Sequence, residues 1–180
     1  MMRATSSMED VTLIDLYAEY PDLVIDIDRE QQRLVDHDVI IFQHPLYWYS
    51  TPAILKEWQD LVLEFGFAYG TDGTALHGKL FLNALTAGGK KEAYCAEGYN
   101  HFTIRELLHP IEQTAALCGM IYLPPFALFD ARSAVDRGEL DQHLASWVEL
   151  LECLRDDRLN IPGAQRLVIL NDYLQVAEEV

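Results

Sequence analysis

Several segments of the chain are apolar at nearly every position and are short enough to be strands of a sheet. Residues 39–42 and 79–86 form two of these runs, and residues 120–122 with 126–129 form the last strand region. A strand that is covered on both faces has a continuous apolar run, because neither face meets water. Residues 11–17 form another β-prone run, which ends at a Tyr-Pro-Asp turn, and they predict a further strand.

Segments with apolar residues at helical spacing alternate with these runs. Asp26 or Asp28 can cap a short helix over residues 29–35, and Pro52 starts a helix that reaches Phe65. Residues 103–118 predict a third helix, which Pro110 kinks or divides, and residues 135–154 predict a last one with a single apolar face. This alternation predicts an α/β fold, a three-layer parallel sheet with helices on both faces.

The length of 180 residues suits one domain with one substantial core. We place that domain at residues 1–160 and a C-terminal tail or arm at residues 161–180. Residues 165–180 carry a short apolar run and an acidic end. They predict either an arm that docks on another subunit or a frayed surface helix.

Composition and charge exclude several classes of function. The 29 acidic residues outnumber the 13 basic ones, and the net charge of −16 repels the phosphates of nucleic acids. No apolar run approaches the ~20 residues that span a bilayer, so we expect a cytoplasmic protein. The six histidines form no compact ligand set, which predicts no metal site. No two glycines lie at i and i+2, and no serine lies in G-x-S-x-G, which excludes a dinucleotide-binding G-x-G-x-x-G loop and a serine hydrolase.

Two loops follow consecutive predicted strands and carry the candidate chemistry. Residues 44–52 include three consecutive aromatic residues, which can offer a flat apolar wall and free amides to a planar ligand or can form a lid over the next helix. Residues 86–89 (Thr-Ala-Gly-Gly) let backbone approach a ligand closely or form an ordinary glycine turn. Both loops fall at the carboxyl ends of parallel strands, where α/β folds bind ligands, and together they favour a cofactor site.

The motifs of these loops resemble those of a known family. They include Phe-Gln-His-Pro-Leu-Tyr-Trp-Tyr at 42–49, Pro-Ala-Ile-Leu-Lys-Glu-Trp at 52–58, Gly-Phe-Ala-Tyr-Gly at 66–70 and Thr-Ala-Gly-Gly at 86–89. In this order they resemble the flavodoxin-like NAD(P)H:quinone oxidoreductases. The chain is most similar to the ancillary, quinone-reductase-like subunits of glutathione-regulated potassium efflux systems.

The resemblance implies an enzyme that binds FMN and reduces quinones with NAD(P)H by a ping-pong hydride transfer through flavin N5. It places the cofactor against Pro45, Leu46, Tyr47, Trp48, Tyr49, Thr86, Gly88 and Gly89. Tyr94 matches a tyrosine whose hydroxyl can stabilise negative charge on reduced flavin. Tyr69 matches an aromatic residue that reaches the partner subunit's site in a homodimer. The family's histidine near that tyrosine aligns with Asn100, and His101 lies one residue out of register.

One departure from the family pattern concerns the beginning of the chain. Family members start with a strand, a phosphate-binding loop and a helix, whereas the first element that matches here is their second strand, at residues 11–17. We therefore expect either an amino-terminally shortened domain or a chain that has lost flavin binding. Two functions stay open: the FMN-dependent quinone reductase, and a non-catalytic or weakly catalytic regulatory subunit that docks on a potassium efflux transporter at the inner face of the membrane. A flavodoxin-like electron carrier is disfavoured, because a carrier needs no paired substrate pocket.

Overall fold

A computed structural model describes residues 1–6 and 8–173 and contains one parallel sheet. Strand β2 is central: it pairs in parallel with β1 on one side and with β3 and β4 on the other. The four strands are β1 (Val39–Pro45), β2 (Leu80–Thr86), β3 (Ile121–Tyr122) and β4 (Phe126–Leu128). The three apolar runs predicted as strands are therefore confirmed, and Pro124 and Pro125, which cannot donate ladder hydrogen bonds, interrupt the last one.

Helices connect the strands, as the alternating pattern predicts. In chain order they are α1 (Met2–Thr5), α2 (Leu16–Glu19), α3 (Ile27–Asp36), α4 (Ala53–Val62), α5 (Ile104–Leu107), α6 (His109–Leu117), α7 (Glu139–Arg155) and α8 (Ile161–Ala164), with a 3₁₀ turn at Lys91–Ala93. Asp26 caps α3, since its carboxylate accepts a hydrogen bond from the amide of Arg29. Pro110 lies in the first turn of α6 and divides the segment 103–118 into α5 and α6.

Two apolar clusters make the fold three layers thick. The first lies between the sheet and helices α3 to α6 and contains Phe42, Trp58 and Phe81. The second lies between the opposite face and α7 and contains Leu82 and Trp147. The predicted three-layer α/β architecture is therefore confirmed.

The predicted strand at residues 11–17 is wrong. Residues 11–15 have no regular structure, and α2 begins at Leu16 because the Asp15 carboxylate accepts hydrogen bonds from the amides of Tyr17 and Ala18. Leu13 and Tyr17 are 39% and 56% exposed, so the run covers no sheet. Short polar side chains that cap a helix compete with strand pairing, and here the cap prevails. Whether a strand precedes this sequence stays a prediction.

A buried carboxylate ties the segment before α3 to α4. Glu30 is 2% exposed and accepts hydrogen bonds from the hydroxyl of Tyr20, at 2.6 Å, and from the indole nitrogen of Trp58, at 2.9 Å. Arg33 forms an ion pair with the same carboxylate. Every donor around this buried charge is thus matched, which is the condition for burying it at low cost.

Helix α7 buries a histidine against β4. The ring of His143 stacks on Phe126 with the centroids 4.6 Å apart, and its Nε2 has no hydrogen-bond partner among the described residues. Burial, followed by the nearby positive amino terminus, lowers the pKa of His143 to about 4. The ring is therefore neutral near pH 7.

The segment after α7 packs on its own domain. Ile169 and Leu170 are buried, and the amide of Leu170 donates to the carbonyl of Pro125. The side-chain amide of Asn171 accepts from the nitrogen of Ala127, at 2.9 Å, and donates to its oxygen, at 3.1 Å. The outer edge of β4 is thereby hydrogen-bonded. The division at residue 160 stays a prediction, and residues 174–180 of the predicted arm lie outside the described residues. No described helix is long and apolar enough to cross a membrane.

Candidate cofactor site at the carboxyl edge of the sheet

The aromatic loop is a tight turn at the end of β1. The amide of Leu46 donates to the carbonyl of Thr86 at 2.8 Å, so the loop starts beside the end of β2. Tyr47 and Ser50 then exchange two backbone hydrogen bonds of 3.0 and 2.9 Å. The two residues between them, Trp48 and Tyr49, have φ values of 49° and 60°. Positive φ at both central positions is the requirement of a type I′ turn, which Asn and Gly normally fill.

This turn carries backbone strain and exposed rings together. A left-handed conformation costs a bulky L-residue ~1–2 kcal/mol, and here two aromatic residues adopt it in succession. Trp48 is 93% exposed, Tyr47 59% and Tyr49 47%, so packing within this chain does not repay the strain of Trp48. The amides of Trp48 and Tyr49 donate no hydrogen bond to any described residue. Strained residues with free donors and bare rings point to a ligand site.

The glycine turn lies beside this loop and is anchored from the other side by β4. Thr86 ends β2 half-buried, and the amide of the buried Ala87 donates to the carbonyl of Leu128 at 2.8 Å. A Cβ added to Gly88 would meet nothing within 4 Å, so open space faces this backbone. The carbonyl of Gly89 accepts from the amide of Asp130 at 2.8 Å. The loop after β4, which the sequence did not indicate, thus supports the turn.

Tyr94 is half-buried against the same turn. Its ring packs on Phe129 with the centroids 5.4 Å apart, and a Cβ added to Gly89 would lie 3.3 Å from its hydroxyl. Burial raises the pKa of Tyr94, and a hydrogen bond with the backbone of Gly89 offsets part of that rise. The hydroxyl is therefore protonated near pH 7.

The sequence missed one contact within the site, between the aromatic loop and the segment after Tyr94. The hydroxyl of Tyr49 donates to the side-chain oxygen of Asn100 at 3.1 Å. His101 is exposed, has a φ of 61° and makes no side-chain hydrogen bond to the described residues. The resemblance of the motifs, which places Asn100 at the family's histidine position, is the sequence signal that pointed to Asn100.

The structure brings the predicted cofactor-binding residues to one edge of the sheet, and Tyr94 with them. Tyr69 lies in the turn after α4, and its ring packs on Phe65 with the centroids 5.8 Å apart. No hydrogen bond or ring contact among the described residues joins Tyr69 to the groups of this site. Its predicted place in a partner's site stays a prediction.

The geometry suits a flat ligand with polar edges. Bare aromatic rings offer apolar area, the free amides of Trp48 and Tyr49 offer donors, and Gly88 leaves room for close approach. The hydroxyl oxygen of Thr51 is buried beside the loop with no partner among the described residues. A planar heteroaromatic ring fits this set of groups. Among residues 1–6 and 8–173, no three His, Cys, Asp or Glu side chains gather as a metal site would require.

Comparisons with known proteins agree with this geometry. A glutathione-regulated potassium-efflux system ancillary protein, KefG from Serratia proteamaculans, is 51% identical over 132 residues, 73% of this chain and 72% of its own length. The structure of general stress protein 14 from Treponema denticola in complex with FMN is 36% identical, with a TM-score of 0.74, and the match covers 79% of this chain and 81% of that one. The structure of an NADPH-quinone reductase from P. pentosaceus is 32% identical, with a TM-score of 0.71, over 81% and 83% of the two chains.

The resemblance stated from the sequence motifs is therefore confirmed. The family described as having a flavodoxin-like fold matches residues 1–151, which include every strand of the sheet and every candidate residue of the site. The chain belongs to the family of proteins with a flavodoxin-like fold.

Proposed function

We propose that the chain is an FMN-dependent oxidoreductase that passes hydride from NAD(P)H to a quinone. One observation carries the proposal: two consecutive aromatic residues hold left-handed backbone and present free amides at the carboxyl edge of the sheet. Relatives support the chemistry, since one is named an NADPH-quinone reductase and another was solved with FMN. FMN held at this edge would supply hydride transfer through N5, and the donor and the acceptor would then use one pocket in ping-pong order.

The residues of this chain would bind and orient the ring. The amides of Trp48 and Tyr49 would donate to its heteroatoms, and the exposed rings of the turn would cover it. Thr86, Gly88 and Gly89 would line its other end, while Pro45, Leu46 and Tyr47 hold the loop on the sheet. Tyr94, protonated near pH 7, offers a hydroxyl that stabilises negative charge nearby.

The binding role is tested by flavin titration of two variants. Trp48→Ala removes a ring contact that contributes about 1 kcal/mol to binding. The dissociation constant of FMN should therefore increase roughly fivefold. His101→Ala is the matched control, because this residue is also exposed and also has positive φ. Fluorescence titration should show a loss for Trp48→Ala alone. Equal losses in both variants would contradict the assignment.

We also propose a homodimer formed through α4 and the turn at residues 66–70. Phe65 lies three residues after α4 and is 69% exposed, and among the aromatic residues of the described chain its ring packs only on Tyr69. If α4 and the turn at residues 66–70 packed against the same elements of a second copy, the interface would bury Phe65 and bring Tyr69 to the partner's site. Interfaces of stable homodimers bury on the order of 2,000 Å² or more. Light scattering at micromolar concentration should report a dimer, and Phe65→Asp should convert it to a monomer; a monomer of the unchanged chain would exclude this arrangement.

A second function is favoured by the similarity to KefG, which is an ancillary protein of a potassium efflux system. In this function the chain is a cytoplasmic regulatory subunit, catalytically weak or inactive, that sits at the inner face of the membrane on a transporter. The net charge of −16 repels anionic lipid, so docking would need a protein surface with basic groups. Turnover of NADH or NADPH with a quinone, measured on flavin-loaded protein, separates the two functions, because only the enzyme consumes the nucleotide at a steady rate.

A further inference from the structure

Three buried polar side chains form a diagonal row across the sheet that starts at the residue before Pro45 of the aromatic loop. His44 on β1, Asn83 on β2 and Tyr122 on β3 are 5%, 0% and 6% exposed. Nε2 of His44 lies 3.2 Å from Oδ1 of Asn83, and Nδ2 of Asn83 lies 3.4 Å from the hydroxyl oxygen of Tyr122. Nδ1 of His44 lies 3.0 Å from the carbonyl oxygen of Pro45, the first residue of the candidate site.

The hydrogen-bond inventory of this row depends on the charge of the histidine. With Oδ1 of Asn83 facing Nε2, both ring nitrogens of His44 face an acceptor, and only a doubly protonated imidazolium satisfies both. A half-turn of the Asn83 amide exchanges its oxygen and nitrogen at almost unchanged positions. Nδ2 then donates to Nε2 of a neutral ring, and the hydroxyl of Tyr122 donates to Oδ1. Each charge state of His44 therefore has its own amide orientation.

We propose that His44, Asn83 and Tyr122 act as a proton-coupled amide switch that links ligand binding at the aromatic loop to pH. In the neutral state Asn83 donates to His44 and Tyr122 donates to Asn83. When Nε2 takes a proton from solvent, both bonds reverse, while Nδ1–H donates to the carbonyl of Pro45 in both states. His44 is thus a positioning residue, which holds the start of the loop through Pro45.

The surroundings favour the neutral state in the absence of a ligand. Reversal leaves the proton of the Tyr122 hydroxyl without an acceptor among the described residues. Burial lowers the pKa of His44, and the contacts with Pro45 and Asn83 offset part of this. The buried residues of α4 on this side are apolar or, like Trp58, uncharged. Two charged groups on this face are already paired: Glu30 on α3 is held by Tyr20 and Arg33, and Arg105 on α5 is paired with Glu112 on α6. The other titratable side chains of this face are Cys118 and Tyr122 about β3, Tyr94 in the loop after β2 and Tyr69 in the turn after α4.

A negatively charged ligand at the loop stabilises the imidazolium, and by linkage the imidazolium strengthens the binding of that ligand. This coupling rests on the proposed function. Each unit by which the ligand raises the pKa of His44 corresponds to tenfold tighter binding below that pKa than above it. The switch would therefore let the site respond to pH without a charged group in contact with the ligand.

The switch is first tested without any ligand. Nitrogen-15 NMR of the histidine rings from pH 4.5 to 8 should show that neutral His44 carries its proton on Nδ1. Asn83→Asp puts a carboxylate beside Nε2 and should raise the pKa of His44 by one unit or more. Tyr122→Phe removes the hydroxyl that has no acceptor when His44 is protonated. This variant should also raise the pKa of His44, by less than Asn83→Asp does. His37 is the internal control. Its Nδ1 also lies close to a backbone carbonyl, that of Arg33 at 2.7 Å, but no side-chain amide contacts its ring. A neutral His44 protonated on Nε2, or a pKa unmoved by both variants, overturns the switch.

The coupling is then tested with FMN as the probe. Saturating FMN should raise the pKa of His44, and the dissociation constant of FMN should increase as pH rises through that value. In Asn83→Asp, where His44 stays protonated over this range, the pH dependence should disappear. If FMN binds and the pKa does not move, the coupling to the ligand is overturned. If FMN does not bind, the proposed cofactor is wrong, and the ligand-free NMR results still decide the switch.

Discussion

Relief of the strain at Trp48 should stabilise the protein and weaken its site. The indole is 93% exposed, so the change Trp48→Gly removes almost no packing within the chain. Glycine adopts the observed φ of 49° freely, which recovers ~1–2 kcal/mol, whereas its extra freedom in the unfolded chain costs ~0.5–1 kcal/mol. The net gain is about 0–1.5 kcal/mol, with a midpoint near 0.75 kcal/mol, and a gain of 1 kcal/mol raises the Tm of a domain of this size by about 2–4 °C.

The assay is thermal and urea unfolding of the flavin-free protein, with Tyr99→Gly as the matched control. Tyr99 is 87% exposed in a neighbouring loop and has no positive φ, so glycine there brings only the entropic cost and should lower the Tm. FMN affinity should fall in Trp48→Gly and not in the control. Destabilisation by Trp48→Gly equal to that by Tyr99→Gly would refute the assignment of strain to this turn.

Four further predictions concern stability and the glycine turn. Glu30→Ala leaves two buried donors without an acceptor and should cost about 3–5 kcal/mol in urea unfolding, whereas Glu30→Gln should cost less. The pKa of His143 is about 4 in the folded protein and about 6.5 in the unfolded chain, so between these values only the unfolded chain binds the proton. The free energy of unfolding should therefore fall as the pH is lowered from 6.5 to 4. His143→Phe should make this dependence on pH less steep. Gly88→Ala should weaken FMN binding with an unchanged Tm, because its Cβ enters open space. Gly89→Ala should instead move Tyr94, whose ring would lie 3.2 Å from the new Cβ, and lower turnover.

The pattern of apolar residues predicted the sheet because its strands are covered on both faces. Residues 79–86 are apolar almost throughout since helices lie above and below β2, and this signal needs no knowledge of distant contacts. Residues 11–17 have a similar local composition but no neighbouring strand. The Asp15 cap starts helix α2 in this segment instead. A propensity for strand does not outweigh such a cap when no neighbouring strand is there to pair with.

The sequence located the candidate site but not its internal geometry. The position of residues 45–49 after a buried strand was enough to predict a ligand edge. The type I′ turn at Trp48 and Tyr49 was not predictable, because turn rules expect Asn or Gly at positive φ. The contact of Tyr49 with Asn100 joins residues 51 positions apart and depends on how two loops meet. The row from His44 to Tyr122 depends on strand register, which pairs His44 with Leu85 and sets Asn83 diagonally beside it.

The side chain of Asn171 offers β4 one acceptor and one donor, in the spacing that a neighbouring strand would offer. A bare strand edge is a template on which another chain can add a strand, and repeated addition leads to aggregates. Because Asn171 and the amide of Leu170 occupy these bonding positions, a foreign strand would first have to displace them. Asn171→Ala would free two backbone groups of Ala127, and it is at this edge that we expect the protein to begin self-association at high concentration.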